Sequence, residues 1–293
     1  MRSLLLFIFA FQFLSAQTDL LQQKFQHKIK KIINKSEAVV GVAIKDIKTG
    51  EQLLINEKEI FATASSIKIF VISEVYRQAS EGKFKLTDVK PFPASARVAG
   101  SGVLSMLGEK SVSLSIRDYC VLMMNLSDNS ATNFLIDLVG MKNINDFAVK
   151  NGCNSAKLQR IMMDLQAAKE GRENIGTPFD FMTILEKLYR GEIVSKQASD
   201  DILSIMKLEK DGWLKSRIPP SVPIANKAGD IDGIKCDHAV VYLENNPYII
   251  CVMTKMLLNE NNGNKIITHI SKETYNYFER KANSNQYGRR ISK

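Results

Sequence analysis

The stretch ASSIKIF, residues 64–70, decides how the fold and chemistry of this chain are interpreted. It places Ser65 and Lys68 three residues apart at the predicted start of a helix that continues to about residue 80. Residues at i and i+3 share a helix face, so the Lys68 ammonium can reach the Ser65 hydroxyl. A serine hydroxyl is a weak nucleophile without a base, and a lysine serves as that base when burial or nearby positive charge lowers its pKa. Unpaired amides at the helix start favour an oxyanion beside Ser65.

The length and the N-terminus indicate an exported globular protein. The chain has 293 residues, 45% of them hydrophobic, enough for one large domain or two closely packed lobes. Residues 1–16 carry Arg2, an apolar run at 4–14 and a final Ala16, the pattern of a secretory signal peptide cut after Ala16. The apolar run is too short to cross a bilayer, and no later run is long enough. We therefore expect a periplasmic protein with no stable membrane insertion after cleavage.

The chain is basic, with a formal net charge of +9. Much of the basic excess lies in residues 24–35 (KFQHKIKKIINK) and in the tail at 287–293 (YGRRISK). A basic helix face contacts nucleic acid or anionic membranes in some proteins. No nucleic-acid-binding motif accompanies these segments, so we predict solvated faces and no nucleic-acid partner.

The cysteines give no sign of a metal site. Cys120, Cys153, Cys236 and Cys251 lack metal-ligand spacing. Export permits disulfides, but Cys120 and Cys251 lie in strongly apolar runs, as small core residues do. The sequence therefore predicts no metal, no cofactor and no essential disulfide.

Strand patterns lie near both ends of the chain, and helical patterns fill the middle. The predicted strands are 37–47, 51–55, 222–227, 239–243 and 248–256. The predicted helices are 18–34, 65–80, 115–125, 130–139, 144–151, 179–190, 195–208 and 264–282. This order predicts an α+β fold, in which about five antiparallel strands from both termini form one sheet flanked by helices. We expect one domain at 17–293, with a sheet lobe (17–63 and 212–293), a mostly helical lobe (64–211) and a substrate cleft between them.

A second motif, Ser127-Asp128-Asn129, lies between two predicted helices. In a cleft facing Ser65, the Ser127 hydroxyl would pass a proton to a leaving nitrogen. The Asn129 amide would hold Lys68 or the substrate.

A third motif, Lys227-Ala228-Gly229, ends a predicted strand, with Asp230 directly after it. The lysine adds positive charge that attracts an anionic substrate, and Gly229 lets a substrate backbone approach the strand. The backbone amides of Ser65 and Asp230 would then form an oxyanion hole.

Taken in order, Ser65-x-x-Lys68, Ser127-Asp128-Asn129 and Lys227-x-Gly229 resemble the signature elements of class A serine β-lactamases and penicillin-binding proteins. Further matching segments are GSGVL at 100–104, SDNSATN at 127–133, MMD at 162–164, GRENIGTP at 171–178 and CDHAVVY at 236–242. The resemblance covers essentially all of 17–293. It implies a β-lactamase/transpeptidase-like fold, a β-lactam substrate, Ser65 as nucleophile, Lys68 or a water-linked carboxylate as base and Ser127 as proton donor. We expect a monomer.

The sequence departs from the family pattern in its third motif and in one strand. Ala228 stands where the family has a threonine or serine, so a hydroxyl for the substrate carboxylate is missing; the literal Lys-Thr-Gly at 48–50 precedes Ser65 in a predicted hairpin turn and cannot replace it. The predicted strand at 239–243 also lacks the arginine that many relatives use against that carboxylate. Lys235 or Arg217 would have to substitute.

The loop after the second motif also departs from the family. Class A enzymes carry there a glutamate that activates the deacylating water, with an asparagine four residues later. Asp164 is nearest to the expected place, although it is one methylene shorter, and a salt bridge to Arg160 is an alternative role for it. Glu170 and Asn174 reproduce the spacing but come later in the loop.

Three functions follow. The first is a secreted serine β-lactamase whose deacylation depends on the loop carboxylate Asp164. The second is a D-alanyl-peptide or ester hydrolase of the penicillin-binding-protein type, which the departures at Ala228 and in the loop favour. The third is a sensor or binding protein with little turnover. The five intact polar side chains of the three motifs argue against the third.

Overall fold

The computed structural model describes residues 20–108, 111–210, 212–285 and 287–291, so the predicted signal peptide lies outside the described residues. The strands in the described part are β1 (Val39–Asp46), β2 (Gln52–Ile55), β3 (Phe61–Ala62), β4 (Val89–Pro91), β5 (Ser113–Ser115), β6 (Ile175–Gly176), β7 (Ile224–Ile231), β8 (Ile234–Val241) and β9 (Tyr248–Lys255). The α-helices there are α1 (Leu20–Asn34), α2 (Lys68–Ser80), α3 (Ile116–Asn125), α4 (Asn129–Val139), α5 (Met141–Lys150), α6 (Leu165–Lys169), α7 (Pro178–Arg190), α8 (Lys196–Met206) and α9 (Glu260–Ala282).

The predicted α+β fold and its five-stranded antiparallel sheet are confirmed. The strand order is β2-β1-β9-β8-β7, and every neighbouring pair is antiparallel. Strand β1 pairs along its whole length with β9, from Val39 opposite Lys255 to Asp46 opposite Tyr248. The two ends of the chain therefore form one sheet, and β7 is left at its edge.

Each face of the sheet buries a separate hydrophobic core. One face packs with α1 and α9, where Val42, Ile250 and Ile267 are buried together. The other face packs with the helical lobe, and there Ala43 and Cys251 join Phe70 of α2. Because successive strand residues point to opposite faces, neighbouring residues of β1 and β9 serve different cores.

The helical lobe holds the nucleophile turn rigidly. A short 3-10 helix, Ala64–Ile67, leads directly into α2. Helix α2 is buried on nearly all sides, and Ile69, Phe70 and Ile72 are fully buried. A helix of that kind lies inside a core, so Ser65 is fixed by packing.

Strand β8 begins earlier than the sequence pattern predicts. The prediction placed a strand at 239–243, whereas β8 spans Ile234–Val241 and β7 continues to Ile231. The turn between them contains Gly233 with φ +73°. The pattern concealed this start because Lys235 and Asp237 interrupt the apolar run, and both side chains are buried with polar partners.

Several other predictions concern residues outside the cleft. The Lys-Thr-Gly at 48–50 is exposed in the turn between β1 and β2. All four cysteines are buried and free. Among the described residues, no group of His, Cys, Asp and Glu side chains is arranged to hold a metal ion. No helix in that part of the chain has the length and apolar character needed to cross a membrane.

Candidate active site

The Lys68 amine is the centre of the site. Its Nζ lies 3.0 Å from Ser65 Oγ, 3.0 Å from Ser127 Oγ, 2.7 Å from the Ser127 carbonyl oxygen and 3.1 Å from Asn129 Oδ1. Lys68 is fully buried, whereas Ser65 and Ser127 are half-buried. The first two predicted motifs therefore meet at one nitrogen.

An unusual backbone conformation brings Ser127 to Lys68. Ser127 has φ +53°, in the left-handed region that non-glycine residues rarely adopt. In this conformation both its carbonyl oxygen and its hydroxyl face the Lys68 amine. Ala64, directly before the nucleophile, is also left-handed, with φ +45°. Strain of this kind costs about 1–3 kcal/mol per residue and tends to occur at functional sites.

The buried carboxylate of Asp128 holds this turn. Its Oδ1 accepts from the Ala131 amide and caps α4, and its Oδ2 accepts from the Val103 and Leu104 amides. A side chain on Gly102 would collide with Asp128, because a Cβ there would lie 2.2 Å from the carboxyl carbon. The sequence motif predicted no role for Asp128, and its role in the structure is to hold the turn that carries Ser127.

The third motif enters from the sheet edge. Lys227 Nζ donates to Ser127 Oγ at 3.2 Å and to the Ala228 carbonyl oxygen at 2.7 Å. The Ser127 hydroxyl is therefore flanked by two lysine nitrogens. Among the residues predicted from sequence, Ser65, Lys68, Ser127, Asn129 and Lys227 lie in one connected hydrogen-bond network.

Gly229 permits a close approach of backbone to backbone. A Cβ at this position would lie 2.5 Å from the Thr63 carbonyl oxygen and 3.0 Å from the Ser65 nitrogen. The structure thus gives Gly229 a reason that the sequence analysis did not include: β7 must pass directly beside the nucleophile turn. The adjacent Asp230 is exposed, and its side chain pairs with Lys235.

Burial lowers the pKa values of both lysines of the site. Burial lowers the pKa of Lys68 well below its usual value, and the Lys227 ammonium lowers it further against the opposing effect of Asp128. Burial also lowers the pKa of Lys227, to about 8, against the opposing effects of Asp237 and Cys236. A lowered pKa increases the fraction of the lysine that is a free amine, which is the form that a general base requires.

The two cations considered for a substrate carboxylate differ in their availability. Lys235 is buried and pairs with Asp230 and with Glu260, the latter at 2.8 Å, so it is already neutralised. Arg217 is exposed in the short 3-10 helix Lys215–Arg217. The β8 residue opposite Ala228 is the buried Asp237, which accepts from the Leu214 amide at 3.0 Å.

One lysine close enough to Lys227 to feel its charge was not predicted from the sequence. Lys210 follows α8, and burial together with the Lys227 charge lowers its pKa to about 8. It was missed because it belongs to no motif.

The two loop carboxylates considered from the sequence, Asp164 and Glu170, have partners that the sequence did not predict. Asp164 is half-buried and caps α6, with its Oδ1 accepting from the Ala167 amide at 2.9 Å. The suggested Asp164–Arg160 salt bridge is wrong, because Arg160 pairs with Glu173 at 2.8 Å. Glu170 is exposed and pairs with Arg172.

Two asparagines fix the path of this loop. The buried Asn174 accepts from the Gln159 and Arg160 amides through its Oδ1. Asn133, in α4, exchanges hydrogen bonds with the backbone of Met162, at 2.8 and 3.1 Å. Asn174 is therefore a structural residue of the loop, and Asn133 ties the loop to the Ser127 side of the cleft.

A buried polar cluster lies beneath the nucleophile turn. Ser66 Oγ donates to the Thr63 carbonyl oxygen at 2.8 Å and lies 3.2 Å from His238 Nε2. Because Ser66 has one hydroxyl proton, His238 must donate from Nε2. Burial lowers the pKa of His238 to about 3, so the ring is neutral, and it stacks on Phe181 at 3.8 Å. This cluster ties the turn to β8.

Comparison with known proteins agrees with this geometry. A family model described as the beta-lactamase enzyme family matches residues 24–278. The chain is 28% identical over 235 residues to beta-lactamase CARB-3 of Pseudomonas aeruginosa, covering 78% of this chain and 80% of that protein. It is 26% identical over 264 residues to beta-lactamase BRO-1 of Moraxella catarrhalis, covering 85% and 84%.

Solved structures share the fold. A beta-lactamase from Sphaerobacter thermophilus superposes with a TM-score of 0.80 at 25% identity, covering 88% of this chain and 97% of that one. A point mutant of PBP-A, captured as an acyl-enzyme with penicillin G, superposes with a TM-score of 0.81 at 24% identity and covers the same share of each chain. The resemblance drawn from three short motifs is thereby confirmed. The family match spans most of the sequence, and the chain belongs to the beta-lactamase enzyme family.

Proposed function

We propose that this protein hydrolyses β-lactams through an acyl-enzyme on Ser65. The observation that carries the proposal is the position of the Lys68 amine, which lies 3.0 Å from both the Ser65 and the Ser127 hydroxyl oxygens. The Lys68 nitrogen can therefore take a proton from the Ser65 hydroxyl. It can also return a proton to the Ser127 hydroxyl, which protonates the leaving group. The similar proteins BRO-1 and CARB-3 are named beta-lactamases, in agreement with this choice.

Acylation needs Lys68 as a free amine. Ser65 Oγ attacks the lactam carbonyl carbon while its proton moves to Lys68 Nζ. The lactam C–N bond breaks, and the ring nitrogen takes a proton from Ser127 Oγ, which Lys68 reprotonates. Lys227 stabilises the negative charge that develops near Ser127, because it lies 3.2 Å from that oxygen. The amides of Ser65 and Asp230 are the proposed oxyanion hole.

Deacylation adds water to the Ser65 ester. A base must take a proton from that water, and we assign Asp164 to this role because its carboxylate lies in the loop that Asn133 fixes to the cleft. Asn129, Lys227, Ala228, Gly229 and Asp230 are the proposed substrate-binding residues. We further propose that the protein is exported to the periplasm and acts as a monomer.

The test is mass spectrometry of the purified protein mixed with a penicillin. We expect the intact mass to rise by the mass of the penicillin, the added mass to map to Ser65, and the adduct to disappear within seconds as product is released. Ser65→Ala should give no adduct, and Ser66→Ala is a matched control that retains the nucleophile. Adduct formation in Ser65→Ala would contradict the proposal.

A second candidate is a D-alanyl-peptide or ester hydrolase. The Ala228 methyl and the absence of a family-type glutamate in the loop favour it. An adduct that persists for hours, with turnover of a D-alanyl peptide, would support this candidate over a β-lactamase. Persistence without turnover of either substrate would indicate a sensor.

A further inference from the structure

A groove of about 700 Å³ lies between α1 and α9, beside the end of β9. Lys28, Lys31 and Ile32 of α1 line it, together with Lys35 directly after the helix. These positions follow the i, i+3, i+4, i+7 spacing of a single helix face. The basic segment at 24–35 therefore does not spread its charge evenly, and three of its lysines line the same groove.

The charge on the groove is only partly neutralised. Lys28 pairs with Glu273 of α9 at 2.6 Å. Lys31, Lys35 and Lys265 are exposed, and none of the three has an ion-pair partner in the part of the chain that the structure describes. The remaining acidic side chain of the lining is Glu37. The rim is thus net positive.

The rim also presents apolar side chains to solvent. Met256 is 71% exposed and Leu258 is 90% exposed, while Leu257 between them is 9% exposed. The turn that carries them is ordered: the Leu257 amide donates to the Gly233 carbonyl oxygen at 3.1 Å, and a Cβ on Gly263 would lie 2.6 Å from Leu257 Cδ1. Leu257 anchors the turn, so its two neighbours are held outward.

The geometry points to this groove and rim as a docking site for an anionic phospholipid surface. Lysines beside a protruding apolar pair fit a bilayer with negative headgroups, since the ammonium groups meet phosphates while Met256 and Leu258 enter the acyl boundary. A solvated basic helix would need no apolar rim, and a free anion would make no use of Leu258. The attachment is peripheral and reversible.

The test is co-sedimentation with vesicles at about 50 mM salt, where surface charge is weakly screened. The chain is expressed whole, its processed N-terminus is read by mass spectrometry, and the same form is used for every variant. We expect binding to phosphatidylglycerol/phosphatidylcholine vesicles, little binding to pure phosphatidylcholine and loss of binding at high salt. The double substitution K31E/K35E should lower the partition coefficient about tenfold or more, and Leu258→Ser should lower it about fivefold or more.

The matched control is K48E/K90E, which makes the same charge change at exposed lysines on other surfaces. It should leave partitioning within about twofold of wild type. Because none of these positions lies in the active site, β-lactam turnover verifies that each variant is folded. Equal loss in the control, equal binding to uncharged vesicles, or no binding to anionic vesicles would overturn the proposal.

Discussion

At the scale of single residues, the site depends on the ammonium of one lysine acting on the pKa of another. Lys68 and Lys227 are both buried, and the hydroxyl of Ser127 lies between their nitrogens. The Lys227 charge disfavours the protonated form of Lys68. The arrangement therefore lowers the pKa of the base and favours its free-amine form.

Removing the Lys227 charge should move the pH dependence of acylation. Acylation requires neutral Lys68, so its rate rises with pH through the pKa of Lys68. Lys227→Met removes the positive neighbour and raises the pKa of Lys68. The acidic limb of the pH profile of the acylation rate should therefore move to higher pH by about one unit. Stopped-flow acylation by a penicillin across a pH series measures the limb. Lys235→Met is the control, and it should leave the limb in place; an unmoved limb in Lys227→Met would mean that Lys68 is not the titrating base.

At the scale of elements, the sequence pattern predicted structure where burial alone determines it. The apolar runs of β1 and β9 predicted those strands to within about two residues, because both faces of each strand are buried. The beginning of β8 was not predicted, since the buried Asp237 carboxylate accepts a hydrogen bond from a backbone amide far away in sequence. The path of the loop at 158–178 could not be predicted for the same reason. Asn174 and Asn133 shape this loop through side chain–backbone hydrogen bonds, which leave no periodic pattern in the sequence.

The same limits apply to the site. The three motifs identified Ser65, Lys68 and Ser127, because their residue types and order carry the chemistry. The left-handed φ of Ser127 could not be read from a serine, which ordinarily avoids that region. Nor could the carboxylate that pairs with Arg160 be chosen, since the loop contains several acidic side chains at similar separations.

The two roles of Asp164 can be separated by a pair of substitutions. Asn caps helices as well as Asp does, so Asp164→Asn should retain α6 while removing the carboxylate that activates water. Asp164→Ala removes the cap as well, at a cost of about 1 kcal/mol. We expect both variants to accumulate the penicillin adduct and only the alanine variant to melt at a lower temperature. Turnover that is unchanged in Asp164→Asn would exclude this residue as the deacylating base.

At the scale of the whole molecule, the sheet joins the two ends of the chain, so its stability depends on contacts between terminal elements. Phe25 of α1 stacks on Tyr277 of α9 with ring centroids 4.4 Å apart. Lys281, near the end of α9, reaches Asp46 at the end of β1 and Glu51, both at 2.9 Å. Asp46 is almost fully buried, whereas both members of the Lys28–Glu273 ion pair between α1 and α9 are partly exposed.

Loss of this ion pair should destabilise the protein in a pH-dependent way. Burial alone would raise the pKa of Asp46, but the hydrogen bonds from Lys281 and the Thr49 amide outweigh it and lower the pKa. A carboxyl with a lowered folded-state pKa stabilises the fold above its unfolded-state pKa, about 3.9, and this contribution disappears as the pH falls through the folded-state value. Lys281→Met should therefore lose about 1–3 kcal/mol at pH near 7, and much less once Asp46 is protonated.

Thermal melting of wild type and Lys281→Met near pH 7 and near pH 2, where the Asp46 carboxylate is protonated to a much larger extent, measures the difference. Lys28→Met is the matched control, because Lys28 also pairs across terminal elements, with Glu273, but half exposed, where such pairs contribute about 0–1 kcal/mol. We expect the Lys281 variant to melt several degrees lower only at the higher pH, and the Lys28 variant to change little at either. An equal loss for Lys281→Met at both values would instead assign its contribution to the cation–π contact of the Lys281 ammonium with the Tyr277 and Phe278 rings.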